Sequence, residues 1–201
     1  VPRPETELLI EAAIEHLEAS RAMRVLDVCT GSGCVAIAIA REFPRATIVA
    51  SDISTEALEV VRRNVARHQL QARVHCVRAD LLAGIAGPFD LIVANPPYVP
   101  STQMAALQPE VREFEPAAAL FAGDDGLQVI GRLLAQAPAA LTPGGLLLFE
   151  FGAGQEAHVR SLVDHTPGLS LVAVRHDLQD IPRVAVARCT APARPTALSP
   201  P

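Results

Sequence analysis

The chain changes its hydrophobic period repeatedly. Short runs rich in Val, Ile and Leu alternate with segments whose apolar positions recur every three or four residues. The short runs predict strands at residues 24–28, 46–51, 73–78, 89–94, 145–151, 169–174 and 184–188. The helical periods predict helices at residues 34–42, 55–68, 127–140 and 155–164. A further helix opens at Pro4-Glu5-Thr6-Glu7, where proline suits the first turn and the acids suit its positive end. Leu8, Leu9, Ala12, Ala13, Ile14 and Leu17 give that helix its apolar face. Runs such as Leu91-Ile92-Val93-Ala94 show no polar alternation, as in a strand covered on both faces. The expected architecture is α/β, a doubly wound and mostly parallel sheet. Only residues 176–183 separate the last two strands, too short a span for a parallel crossover. Those strands are therefore expected to form an antiparallel hairpin at one sheet edge. Residues 190–201, rich in Ala, Pro and Ser, read as a disordered tail, which leaves residues 1–189 as one domain.

Composition supports a packed core and narrows the partners. Of 201 residues, 50% are hydrophobic and 19% charged, a balance that excludes a disordered polymer. The net charge of −5 supplies no global positive field for a phosphate backbone, so direct nucleic-acid binding is not expected. No apolar run approaches the ~20 residues that span a bilayer, and the first residues lack the pattern of a signal peptide. No membrane association is expected, and the expected location is cytoplasmic. Cys29, Cys34, Cys76 and Cys189 lie in apolar surroundings without metal-ligand spacing and read as reduced, buried thiols. The six histidines read as surface or packing residues, and no metal site is expected.

The candidate chemistry sits where strands end. In such sheets ligands bind beyond the carboxyl ends of the strands. The first strand runs into Asp27-Val28-Cys29-Thr30-Gly31-Ser32-Gly33 immediately before a helix. Glycines there let a ligand approach the backbone, and the helix N-terminus offers N–H groups. The second strand ends at Asp52-Ile53, about 20 residues on, where an acid can accept both hydroxyls of a ribose. The third ends at Asp80-Leu81, placed to flank a base. The glycine pattern alone also fits a dinucleotide fingerprint. Asp27 favours a ligand carrying an amino group over a pyrophosphate, and an aminoacyl nucleoside is the natural candidate.

The fourth strand decides the reaction class. It runs straight into Asn95-Pro96-Pro97-Tyr98. Two prolines remove two backbone donors and fix two φ angles, giving a rigid corner with an outward carbonyl. The Asn95 side chain and the Pro96 carbonyl can both accept from one planar NH2 group, while Tyr98 stacks on its face. A planar amide or aromatic amine has a delocalised lone pair, so catalysis depends on holding its nitrogen in line with an electrophile.

These residues resemble those of class I S-adenosylmethionine-dependent methyltransferases that modify planar nitrogens. The turn alone is shared with adenine-N6 enzymes. More selective are residues 1–7 (Val-Pro-Arg-Pro-Glu-Thr-Glu), Glu115-Pro116 with Ala119-Leu120, Gly123-Asp124-Asp125-Gly126-Leu127, Glu150-Phe151-Gly152 and Asp177-Leu178 with Arg183-Val184. They resemble the HemK/PrmC family, which methylates the glutamine N5 of the GGQ loop in peptide chain release factors. The resemblance spans nearly all of residues 1–188 and implies a Rossmann-like class I methyltransferase fold. It implies that Asp27, Cys29, Thr30, Gly31, Ser32, Gly33, Asp52, Ile53, Asp80, Leu81 and Asn95 bind S-adenosyl-L-methionine. It implies Asn95, Pro96 and Tyr98 as catalytic residues and, with Pro97, as the acceptor site, and a release factor as the protein partner. Cys29 stands where the family often has glycine. The family's N-terminal helical docking domain is expected to be missing here. Alternatives are a ribosomal-protein glutamine methyltransferase, an adenine-N6 methyltransferase and an inactive cofactor-binding fragment. Residues 99–125 form a long segment, read as a functional lid or binding loop, with Glu110, Glu113 and Glu115 beside Arg112.

Overall fold

The computed structural model describes residues 4–18, 20–102 and 122–192. The segment at residues 103–121, which carries Glu110, Arg112, Glu113, Glu115, Pro116, Ala119 and Leu120, lies outside the described residues. So does the tail from residue 193 onward.

Five helices and seven strands are formed by the described residues: α1 (Pro4–His16), β1 (Met23–Val28), α2 (Cys34–Glu42), β2 (Ala46–Asp52), α3 (Thr55–Arg67), β3 (Val74–Arg78), β4 (Phe89–Ala94), α4 (Gln128–Ala140), β5 (Leu141–Glu150), α5 (Glu156–Asp164), β6 (Leu169–His176) and β7 (Pro182–Cys189). The strands make one sheet in the order β3-β2-β1-β4-β5-β7-β6. The first five run parallel, and β7 lies antiparallel to both β5 and β6. The expected edge hairpin is therefore present, with its second strand inserted against β5 and its first strand at the rim.

Apolar runs without alternation bury both faces. Leu91, Val93, Leu146 and Leu148 pack with Leu9, Val35, Ile39, Val61 and Val65 from α1, α2 and α3. Their neighbours Ile92, Ala94, Leu147 and Phe149 point the other way, onto Ile130, Leu133, Leu134, Val159 and Val163 from α4 and α5. Helix α3 begins at Ser54, whose hydroxyl accepts from the Ala57 N–H, and places Arg67 in its last turn. Arg62, Arg63 and Arg67 form its solvated side.

One observed difference has a local cause. Strand β5 starts at Leu141, four residues before its expected start, because Leu141 pairs with Phe89 ahead of a register shift across Thr142-Pro143-Gly144-Gly145. Turn residues at that point hide the pairing from a reading of hydrophobic period. Among the cysteines only Cys189 is buried, while Cys29, Cys34 and Cys76 are half-buried, so the expectation of four buried thiols holds for one. All four are free thiols. Cys29 lies in the loop after β1 and Cys34 opens α2, each packed against a different side of the core. No helix among the described residues is long and apolar enough to cross a membrane.

Candidate active site

Strand order reverses direction between β1 and β4: the chain proceeds from β1 outward to β2 and β3, then returns to the other side. A crevice opens at the carboxyl ends of strands at such a point. Val28 pairs with Ala94 in the register of these two strands, so the glycine loop and the Asn95 turn leave the sheet side by side.

The glycine loop is held by its neighbours on the β2 side. The Thr30 N–H donates to the Ser51 carbonyl at 3.0 Å, and the Gly31 N–H donates to Asp52 Oδ2 at 2.9 Å. Asp52 Oδ1 accepts from the Ser54 N–H at 3.0 Å, so one carboxylate orders both the loop and the start of α3. Asn64 on α3 donates to the Ser32 carbonyl at 2.8 Å. Gly31 and Gly33 adopt φ of +54° and +80°. A Cβ on Gly33 would lie 2.9 Å from Val61 Cγ1, so this glycine permits α3 to pack closely. A Cβ on Gly31 would meet nothing within 4 Å, so this glycine faces open space next to Asp52. Gly33 caps α2 without a side-chain acceptor, and the first-turn Ala36 N–H donates to Asp27 instead.

Asp27 is almost completely buried, at 1% exposure. Its Oδ2 accepts from Thr30 Oγ1 at 2.6 Å and from the Ala36 N–H at 3.0 Å, fastening the loop to α2. Burial pushes its carboxyl up to about 7, with the Asp52 charge adding and these two hydrogen bonds opposing. Cys29 sits at φ +57°, a left-handed conformation that favours glycine. Burial, followed by the charges of Asp52, Asp27 and Asp80, pushes the Cys29 thiol up to about 12. The carboxylates of Asp52 and Asp80, with the buried Asp27 beside them, thus act on one point of the loop. Such a field favours a cationic ligand and opposes a pyrophosphate. Asp80 is also ion-paired with Arg132 of α4 at 2.6 Å, Leu81 is 5% exposed, and Ile53 is open to solvent at 56%.

The side of the site around residues 95–98 is assembled from three segments. Asn95 is half-buried, Pro96 buried, and Pro97 and Tyr98 half-buried. The Tyr98 hydroxyl donates to Oε1 of Glu150, which is fully buried at the end of β5, at 2.8 Å. Its ring lies beside Gly152, where a Cβ would come within 3.2 Å of Tyr98 Cδ2. Tyr98 is thus fixed at its hydroxyl and along part of its ring. Residues 122–126 run against the same turn: the Ala122 N–H donates to the Val99 carbonyl at 3.2 Å and the Ser101 N–H to the Gly123 carbonyl at 2.9 Å. A Cβ on Gly126 would run into the Tyr98 carbonyl oxygen.

The residues expected at the site therefore fall into two adjoining groups, Asp27 to Gly33 with Asp52 on one side and Asn95 to Tyr98 on the other. Asp80 and Leu81 lie at the end of the next strand beyond β2. Reading from residues alone assigned no role to Glu150, Gly126, Gly152 or Gln155. A signal for Glu150 was present: a carboxylate closing the apolar run of residues 145–151 has to find a partner.

A family model described as "Methyltransferase small domain" matches residues 5–113. A protein named release factor glutamine methyltransferase from Rhodospirillum rubrum is 44% identical over 187 residues, covering 93% of this chain and 57% of its own. Another of the same name from Xylella fastidiosa is 45% identical over 189 residues, covering 94% of this chain and 68% of its own. The chain belongs to the HemK/PrmC family. It spans 57–65% of the length of three of the curated relatives it matches. Among solved structures, ribosomal protein L11 methylase from Lactobacillus delbrueckii subsp. bulgaricus superposes with a TM-score of 0.67 at 22% identity, covering 92% of this chain and 77% of that one. That likeness shows the class I methyltransferase fold, and the HemK/PrmC members supply the narrower kinship.

Proposed function

We propose that this chain transfers a methyl group from S-adenosyl-L-methionine to the side-chain amide nitrogen N5 of the glutamine in the GGQ loop of peptide chain release factors. The observation that carries this reading is the rigid Asn95-Pro96-Pro97-Tyr98 corner set beside the glycine loop where strand order reverses. The names of HemK/PrmC relatives at 40–49% identity support the glutamine over other planar nitrogens.

The residues fit the cofactor. Gly31 leaves space that a side chain would fill, and the carboxylates around Cys29 suit a ligand bearing both an ammonium and a sulfonium. Cys29, Thr30, Gly31, Ser32 and Gly33 would hold its amino-acid part and Asp52 its ribose. Ile53, Asp80 and Leu81 would lie along its base. Asp27, buried and engaged by Thr30 and Ala36, would act by bracing the loop. When bound, S-adenosylmethionine supplies a methyl on a cationic sulfur that becomes a neutral thioether as the methyl leaves.

The protein's own task is to orient the nucleophile. Asn95 Oδ1 and the Pro96 carbonyl would accept from the two N–H bonds of the glutamine amide, which fixes the plane of that group. Neither proline offers a competing backbone donor at this corner. Tyr98, anchored to Glu150, would cover the amide's face and limit its rotation. Drawing on both N–H bonds raises electron density at nitrogen, and alignment makes the displacement effectively intramolecular, an effect that reaches roughly 7–11 kcal/mol in favourable cases. One N–C bond forms, the carbon–sulfur bond breaks, and one N–H proton leaves the product amide to solvent.

The test offers the chain labelled S-adenosylmethionine with three acceptors: a release factor, the same factor with its GGQ glutamine changed to alanine, and adenine-containing oligonucleotides. Mass spectrometry then locates the methyl. Label on that glutamine alone is expected. Label on adenine would overturn the substrate, and no label on any acceptor would overturn the activity of this chain by itself.

A further inference from the structure

We infer that Gln155 is a positioning residue for the acceptor turn, a role that rests on the methyl-transfer reading above. Gln155 precedes α5 and is 9% exposed, yet its side chain does not cap that helix. It turns instead into the junction of three segments. Its Oε1 accepts from the Gly152 N–H at 2.7 Å, and its Nε2 donates to the Tyr98 carbonyl at 3.0 Å and the Asp125 carbonyl at 3.1 Å. A primary amide has two donors and one carbonyl acceptor, and all three are engaged. No other neutral side chain of this length pairs two carbonyls and one N–H at once.

The geometry around it leaves no slack. A Cβ on Gly126 would lie 2.7 Å from Gln155 Nε2, and one on Gly152 would lie 3.0 Å from Gln155 Oε1. Both glycines thus leave room for the amide, Gly126 also for the Tyr98 carbonyl and Gly152 for the Tyr98 ring. Tyr98 is consequently held at two points, its hydroxyl by Glu150 and its carbonyl by Gln155. Since Tyr98 closes the Asn95-Pro96-Pro97-Tyr98 corner, fixing its carbonyl fixes the exit of the corner. Asp125 heads the segment leading into α4, so the same amide ties that segment to the turn. Gln155 acts through the backbone of Tyr98 and needs no contact with the acceptor amide.

Two variants of the whole chain test this. Gln155→Leu keeps the side-chain bulk and removes all three hydrogen bonds. Gln155→Glu keeps the acceptor for Gly152 and turns a carboxylate toward two carbonyls, a repulsion that protonation relieves. Gln155→Leu is expected to lower kcat for release-factor methylation by about 10- to 100-fold with unchanged affinity for S-adenosylmethionine. The activity of Gln155→Glu relative to wild type is expected to rise as pH falls, because the protonated carboxyl regains one donor. Unchanged kcat in Gln155→Leu, an equal loss of cofactor affinity and activity, or no acid recovery in Gln155→Glu would each overturn the role.

A readout independent of activity separates this inference from the functional reading. The chain has one tyrosine and no tryptophan, so its intrinsic fluorescence comes from Tyr98. Gln155→Leu is expected to lower the anisotropy of that emission and raise its access to a soluble quencher. Identical emission behaviour in variant and wild type would overturn the link to Tyr98 even in a chain that methylates a different acceptor. Failure of wild type to methylate release factor, with the fluorescence change present, would instead overturn the substrate alone.

Discussion

The two halves of the site are built differently. On the glycine-loop side, hydrogen bonds join partners 3, 9, 21 and 32 residues apart, Thr30 to Asp27, Ala36 to Asp27, Gly31 to Asp52 and Asn64 to Ser32. On the side proposed for the acceptor, one bond is local, Gly152 to Gln155 at 3 residues, and the others span 30, 52 and 57, Gln155 to Asp125, Tyr98 to Glu150 and Gln155 to Tyr98. The loop half is made by a strand, its turn and the next strand, so most of its chemistry is local. The acceptor half exists only once β4, β5 and the segment entering α4 have come together. A local half is robust to changes elsewhere, whereas an assembled half fails when any of its contributors shifts.

That contrast sets the expected sizes of the effects. Asn95→Ala removes one of the two carbonyls proposed to hold the acceptor amide. It should abolish detectable methyl transfer to release factor while leaving the cofactor half standing, and unchanged turnover would break the comparison at its strongest point. Stability should follow Asp27 next. The folded carboxyl keeps its proton up to about 7, and the unfolded one loses it near 3.8. Between those values the folded state binds the extra proton, so stability falls as pH rises from about 4 to about 7, by as much as about 4 kcal/mol, and levels off above. Asp27→Asn, followed by urea melts across that range, should flatten the fall; an equally steep fall would assign it to another group.

Gly31→Ala sharpens the comparison further. The added methyl meets no protein atom, so the fold should lose only the ~1–2 kcal/mol of a left-handed alanine. Cofactor affinity should drop by about tenfold or more, since roughly 1.4 kcal/mol of lost contact already has that effect. The smallest effect belongs to Cys29→Gly. Relief of a positive φ offsets the entropy and packing lost with the side chain, so melting should move by no more than about 1 kcal/mol in equivalent stability. A larger destabilisation would show that the thiol packs more than its half-buried state implies.

The same contrast explains what could be read without coordinates. The loop residues Asp27, Gly31, Gly33 and Asp52 were legible because each lies at a strand end in a short span with glycine and acid at fixed offsets. Asn95 to Tyr98 were legible because two prolines and a tyrosine closing an apolar strand have few other uses. The antiparallel hairpin followed from a short connection, but its insertion of β7 next to β5 is a matter of sheet order, which hydrophobic period does not encode. The positive φ of Cys29 was hidden because a thiol's size says nothing of the backbone beneath it. Gln155 was hidden more deeply. It looks like an ordinary residue before a helix, and only the meeting of distant segments gives it and Glu150 Tyr98 as a common partner. The third and fourth β-strands show how secure the rest was: Val74–Arg78 and Phe89–Ala94 lie within a residue of where their apolar runs put them.

The proposed division of labour is that one half of this site holds the cofactor and the other holds the acceptor. Equilibrium titration of S-adenosylmethionine into wild type, Asn95→Ala and Gly31→Ala tests that division directly. The predicted result is a Kd for Asn95→Ala close to that of wild type and a Kd for Gly31→Ala about tenfold weaker or more. Equal losses in the two variants, or a loss confined to Asn95→Ala, would contradict it.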